Sequence, residues 1–262
     1  MTCFPQLAIA VAIHKKISFS SIPLIAWNFN LGQTYPGAKQ KISQLSLSAV
    51  DTFVVHSRHE IKEYSNWLQL PQSRFEFVPL QRAVSGIDTR EEIEKPFLLS
   101  MGTANRDYKL LLSVLQQLGY PSIIVAGPYA LRGLKIPANV EVRSGLSQAE
   151  CNTLVQRARL SVIPVDNQTT ASGQVTLLDA MMFGRATVIT KCPASVDYVE
   201  HNKNAIMVSH GNRDELKDAI ELLWQDASTR ERIGNAARNT VIEKYSDEAI
   251  GGTMGKLLRK FG

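Results

Sequence analysis

Residues 171–184 carry the strongest chemical signal in the chain: Ala-Ser-Gly-Gln-Val-Thr-Leu-Leu-Asp-Ala-Met-Met-Phe-Gly. A small-residue loop, Ala171 to Gly173, opens a short helix that Gly184 stops. The start of a helix leaves backbone N–H groups unpaired and gathers the positive end of its dipole, a setting that binds phosphate. Asp179 lies further along the same helix, where a carboxylate can accept hydrogen bonds from sugar hydroxyls. Its neighbours Leu177, Leu178, Met181 and Met182 are apolar, and an acid on so apolar a helix needs a reason to be there. Phosphate at one end and hydroxyls at the other describe a nucleotide sugar. Ser172 also suits an ordinary N-cap of the first turn, a role compatible with phosphate binding.

Other chemistries find little support. Cys3, Cys151 and Cys192 are far apart and odd in number, which fits neither a disulfide framework nor a zinc site. The five histidines form no HExxH pattern, and His56 and His59 read as a strand-to-helix junction. No metal and no cofactor is called for. No GxGxxG follows a predicted strand, which argues against a dinucleotide oxidoreductase. The net charge of +5 is scattered, without the basic block of a nucleic-acid binder, and leaves weak contact with an anionic membrane surface open. The early apolar run, residues 7–13, is far short of the roughly 20 residues of a membrane span. Its lysines, Lys15 and Lys16, follow it rather than precede it as in a signal peptide. A reduced cytoplasmic setting fits, with peripheral membrane contact left open.

The elements that must position the motif alternate along the chain. Helical periodicity over residues 7–16, 36–49 and 58–68 alternates with apolar strands at 22–27, 52–55 and 75–78. Residues 80–95 are polar and arrhythmic, and read as a linker. Strands at 96–101, 122–126, 140–142, 160–164, 186–190 and 205–208 then alternate with helices at 108–118, 148–158 and in the motif itself. Helices at 214–224, 228–243 and 247–260 close the chain. Short apolar runs between periodic helices predict an α/β chain of two Rossmann-like domains. The first, residues 1–87, has about three strands and begins inside a helix without a first strand. The second, residues 88–262, is a complete doubly wound parallel sheet with C-terminal helices.

From about residue 96 to 245 the order of pieces resembles the second domain of GT-B glycosyltransferases, in particular the family-4 retaining type. The resemblance rests on the Gly102 turn with Asn105-Arg106-Asp107-Tyr108, the strand to Gly127, and the strand and turn of residues 139–145. It rests also on Val162-Ile163-Pro164 and above all on residues 171–184. Residues 22–80 resemble the tail of the first domain of that family. The resemblance implies that Asp179 binds ribose hydroxyls, and that the amides of Gln174 and Val175, after Ser172 and Gly173, hold the diphosphate. Arg106 falls where the family has a diphosphate-binding lysine, and the base lies against Arg143, Ser144 and Gly145. Ala171 falls where the family has a sugar-facing glutamate, and Thr103 where it has a second basic residue. The family's N-terminal glycine-rich loop, and a histidine expected after residue 30, have no counterpart here. Read without the resemblance, Arg106 is a solvated residue paired with Asp107 or a nearby acid. Residues 166–170 are either a plain surface loop or the lining of a sugar pocket at the ligand edge of the sheet.

The expected function is therefore a retaining transfer of sugar from a nucleoside-diphosphate sugar to a hydroxyl on a carbohydrate or lipid-linked acceptor. The alternatives are a catalytically silent nucleotide-sugar-binding homologue or accessory subunit, or a fragment of a longer enzyme. Association through the incomplete first domain is a further expectation, because strands missing from a sheet leave apolar surface behind.

Overall fold

The computed structural model describes residues 1–83, 91–166, 169 and 171–260. Contacts divide the chain into two units, Met1–Leu80 with Ile250–Gly262, and Gln81–Ala249. The domain boundary expected at residues 87 and 88 lies outside the described residues.

In the first unit, β1 (Thr2–Cys3), β2 (Ile25–Trp27), β3 (Thr52–Val55) and β4 (Phe75–Phe77) form a parallel sheet in that order. Between them run α1 (Pro5–Ile17), α2 (Ala38–Leu47) and α3 (Arg58–Leu68). The sheet thus has a strand that the sequence reading did not anticipate. Two residues carry no periodicity, and β1 exists because Thr2 and Cys3 pair with Ala26 and Trp27. An aromatic column, Tyr64–Phe29–Phe53–Phe75, fills the core, with ring centroids 4.7 to 5.7 Å apart. α3 begins on a capping box: Ser57 and Glu60 each satisfy a backbone N–H at its start.

The chain's last helix, α10 (Asp247–Leu258), corrects the sequence reading, which gave it to the second domain. Its Ile250, Met254 and Leu257 pack with Ile25, Trp27, Val54 and Val78 of the first unit. Its apolar side is as suited to one sheet as to another, and sequence order alone favoured the nearer one.

The second unit holds a six-stranded parallel sheet. Its strands are β5 (Leu98–Met101), β6 (Ser122–Val125), β7 (Val140–Arg143), β8 (Leu160–Ile163), β9 (Thr187–Thr190) and β10 (Ile206–Val208). Their spatial order is β10-β9-β8-β5-β6-β7. The helices are α4 (Tyr108–Leu118), α5 (Gln148–Arg157), α6 (Gln174–Met182), the short α7 (Ser195–Tyr198), α8 (Arg213–Gln225) and α9 (Ala227–Thr240). The inner strands β5, β8 and β9 are buried along almost their whole length, as a sheet covered by helices on both sides requires.

The strand order reverses between β5 and β8, so this sheet has a topological switch point, the usual ligand crevice of such folds. The loops leaving β5 and β8 are tied together there. The Asp107 N–H donates to Pro164 O at 2.8 Å, and the Asp166 N–H to Asn105 O at 3.0 Å. The motif helix α6 starts just beyond the β8 loop.

Candidate functional site

Gly173 turns the chain into α6. Its φ of +88° favours glycine, and a Cβ there would press on Ile163 and Val165 at 3.2 and 3.3 Å. Gly173 is also the N-cap, and among the described residues no side chain caps the helix. Ser172 is therefore not the cap that the sequence suggested. Its Oγ accepts from Arg106 Nη1 at 3.2 Å.

Arg106 is the centre of the site. Its Nη2 donates to Thr176 Oγ1 at 3.2 Å, in the first turn of α6. Nη1 also donates to Ala104 O at 2.8 Å, and Nε to Met101 O at 3.3 Å. The guanidinium thus spans from the end of β5 to the start of α6. Gly102 makes room for it: a Cβ there would lie 2.5 Å from Nη2, and its φ of +122° is a glycine conformation.

The pairing of Arg106 with Asp107 does not occur. Asp107 caps α4, its carboxylate accepting from the Leu110 N–H at 2.9 Å. Among the described residues no carboxylate lies within ion-pair distance of Arg106. Burial holds its pKa below the usual arginine value, with Tyr108 and Cys192 acting in the opposite sense. A partly buried guanidinium remains charged, and without a counter-ion it attracts an anion. The positive end of α6 lies against the same point.

Asp179, about one turn beyond Thr176 along α6, is also engaged. Arg82 Nε donates to its Oδ1 at 2.6 Å. Sequence reasoning missed Arg82. It stands 97 positions away in a stretch that read as linker, and no local pattern links the two.

Arg106, Ser172, Gly173, Gln174 and the helix carrying Val175 and Asp179 are thus brought together. Gln174 is buried and Val175 exposed. Arg143, Ser144 and Gly145 are on the same edge of the sheet, at the end of β7, two strands from β5. Arg143 is held by its own neighbour, with Nε and Nη2 donating to Glu141 at 2.7 and 3.0 Å. Among the described residues no hydrogen bond joins 143–145 to Arg106 or α6.

The edge has further polar groups, and of these the sequence did not single out Thr190 and His210. Thr103 Oγ1 accepts from the Gly127 N–H at 2.9 Å and so joins the loops after β5 and β6. Thr190 Oγ1 accepts from the Val165 N–H at 3.0 Å. The His210 ring stands 3.4 Å from Asp166 Oδ1. Of the loop at 166–170, residues 167, 168 and 170 lie outside the described residues. Ala171 is buried and brings no carboxylate to the site. Among the described residues no group of three His, Cys, Asp or Glu could hold a metal ion.

Residues 88–240 match the family described as glycosyl transferases group 1. No curated protein matches in sequence. Solved structures are similar in fold. Anabaena Alr3699/HepE, in complex with UDP-glucose, superposes with a TM-score of 0.79 at 13% identity. That match covers 97% of this chain and 76% of that one. Sucrose-phosphate synthase (tll1590) from Thermosynechococcus elongatus gives 0.79 at 15% identity, over 98% of this chain and 72% of that one. A variant of S. aureus TarM, in complex with Fondaparinux, alpha-GlcNAc-glycerol and UDP, gives 0.72 at 14% identity, over 97% and 59%. Together these establish two Rossmann-like sheets of GT-B type.

Proposed function

The chain belongs to the glycosyl transferases group 1 family, and on that premise we propose that it moves a sugar from a nucleoside-diphosphate sugar to a hydroxyl acceptor. One observation carries the proposal: the partly buried Arg106 guanidinium, without a carboxylate partner among the described residues, against the start of α6 at the switch point of the sheet. These positive groups suit a diphosphate and would stabilise the charge that builds on it as it leaves. Asp179 lies further along the same helix, within the reach of a ribose. Arg143, Ser144 and Gly145 on the same edge would border the base. A front-face, retaining transfer, the mode we propose, needs no separate protein base. The fold similarity to HepE, solved with UDP and with UDP-glucose, supports a nucleotide-sugar donor.

Titration calorimetry with UDP, GDP, ADP and their sugars tests the proposal. Binding of one of them at micromolar to millimolar strength is the expected result, and a folded sample that binds none refutes it.

A second reading is a nucleotide-sugar-binding homologue without transfer activity, acting beside an active enzyme. The buried Ala171 favours it, because no carboxylate faces the donor sugar from that position. Binding of a donor without release of its nucleoside diphosphate, across a panel of carbohydrate and lipid-linked acceptors, would select this reading.

The setting we propose is cytoplasmic, in keeping with three free cysteines and with no helix, among the described residues, long and apolar enough to cross a membrane. Exposed Phe4, Leu7, Val11 and Phe19, with Lys15 and Lys16 beside them in sequence, support association of the first unit with another surface, protein or membrane.

A further inference from the structure

Arg82 belongs to no motif, yet its position is fixed from several sides. Its backbone N–H donates to Tyr245 O at 2.8 Å, and it forms a β-bridge with Ser246. Its guanidinium is spread over three acceptors: Asp179 Oδ1 at 2.6 Å, Gln81 O at 3.0 Å and Val175 O at 3.4 Å. Val175 O lies in the first turn of α6 and Asp179 one turn on, so Arg82 grips the helix along the side that bears the carboxylate. Only one carboxylate oxygen is used. Among the described residues no donor is bonded to Asp179 Oδ2. The pair is partly open, the side chains 26% and 16% exposed.

The pair fixes a side chain. An aspartate on a helix has several rotamers, and only one directs its free oxygen to a given hydroxyl. An arginine nitrogen bonded to Oδ1 selects that rotamer and leaves Oδ2 as an acceptor.

Resting on the nucleotide reading above, we infer that Arg82 is the positioning residue of the ribose site. It holds Asp179 through Oδ1 so that Oδ2 receives a ribose hydroxyl. Arg82 itself touches no reacting atom, and all of its effect passes through Asp179 and therefore through the hydroxyls.

Calorimetry on the whole chain tests this with whichever of UDP, GDP and ADP the wild type binds most tightly, and with its 2′,3′-dideoxy analogue. Arg82→Gln lowers affinity for the natural nucleotide about tenfold, the loss of one charge-assisted hydrogen bond. Its affinity for the dideoxy analogue stays at the wild-type value, since no hydroxyl is there to be received. Arg82→Lys, which keeps the charge, recovers part of the loss. Arg82→Gln with Asp179→Asn binds no more weakly than Asp179→Asn alone. Equal losses for both nucleotides would make Arg82 a structural residue only and overturn the inference. So would a double variant whose loss is the product of the two single losses. Wild type that binds no nucleoside diphosphate removes the nucleotide reading itself. Wild type that binds, with Arg82→Gln unchanged, removes this inference alone. Thermal melting of each variant shows that the chain compared is folded.

Discussion

The Tyr64 hydroxyl donates to Glu60 Oε1 at 2.9 Å in the interior of the first unit. The other oxygen of Glu60 accepts from the N–H groups of His56 and Ser57 at 3.2 and 3.0 Å. Glu60 is fully buried, and burial pushes its pKa up to about 7 against these three hydrogen bonds, helped by the nearby charge of Glu63. The folded chain therefore holds a proton on Glu60 at pH values where the unfolded chain has lost it. Stability from this group is greatest below its unfolded pKa of 4.5, declines as pH rises, and is flat above about 7. The full change is about 3 kcal/mol, at 1.36 kcal/mol per pKa unit. His56, which burial keeps neutral, titrates in the opposite sense, so the wild type alone is a poor reporter. Urea unfolding of wild type and Glu60→Gln at pH 5 and pH 8 isolates the effect. The variant gains on the wild type as pH rises, and a constant difference would contradict the assignment.

Arg106 is expected to carry much of the diphosphate affinity. Arg106→Gln removes the positive charge and weakens binding of a nucleoside diphosphate by about 1.5–3 kcal/mol, the range for hydrogen bonds to charged groups. The corresponding nucleoside, without phosphates, is unaffected. Arg106→Lys keeps the charge but not the span across Ser172 Oγ and Thr176 Oγ1, and falls between. Calorimetry of diphosphate against nucleoside checks this, and a nucleoside that weakens equally would move Arg106 out of the phosphate site.

Much of this architecture is legible in local chemistry. α3 and α4 run from Arg58 to Leu68 and from Tyr108 to Leu118 as the periodicity indicates, because Ser57 and Asp107 cap them within a few residues of sequence. The apolar strands of the second sheet fall where uninterrupted apolar runs place them, since both faces are covered. What was illegible is what depends on distant partners. β1 is made by pairing with β2, and the place of α10 is set by a sheet far earlier in the chain. The same holds for the site. Gly173 to Asp179 announces itself as one segment, whereas Arg82 meets Asp179 only after folding. Ser172 looked like a cap because caps are recognised by residue type, and the residue that takes its hydroxyl, Arg106, is 66 positions earlier.

The first unit is expected to self-associate. Phe19 is 93% exposed, and Phe4, Leu7, Val11, Ile17 and Ile22 are exposed with it. Apolar side chains grouped in so short a stretch favour burial against another surface. Sedimentation is expected to show concentration-dependent association that Leu7→Gln with Phe19→Ser reduces. A wild type that sediments as a monomer up to millimolar concentration contradicts this.

Gly234 lies in α9 where that helix crosses the turn that ends α6. A Cβ on Gly234 would stand 2.2 Å from the carbonyl oxygen of Gly184, and 3.0 Å from its carbon. The obstacle is backbone, which cannot swing aside as a side chain does. Gly184 itself is held at φ +65°, with its N–H donating to Met181 O at 2.9 Å. Gly234→Ala must therefore push α9 away from α6, at a cost of about 1–3 kcal/mol or more, as for overpacking of a closed core. The displacement reaches the end of α6 opposite Gly173, so stability is affected before nucleotide binding. Denaturant unfolding is expected to show a lower midpoint, with nucleotide affinity little changed under conditions where the variant is folded. An unaltered midpoint would mean that the two backbones are not in contact as described.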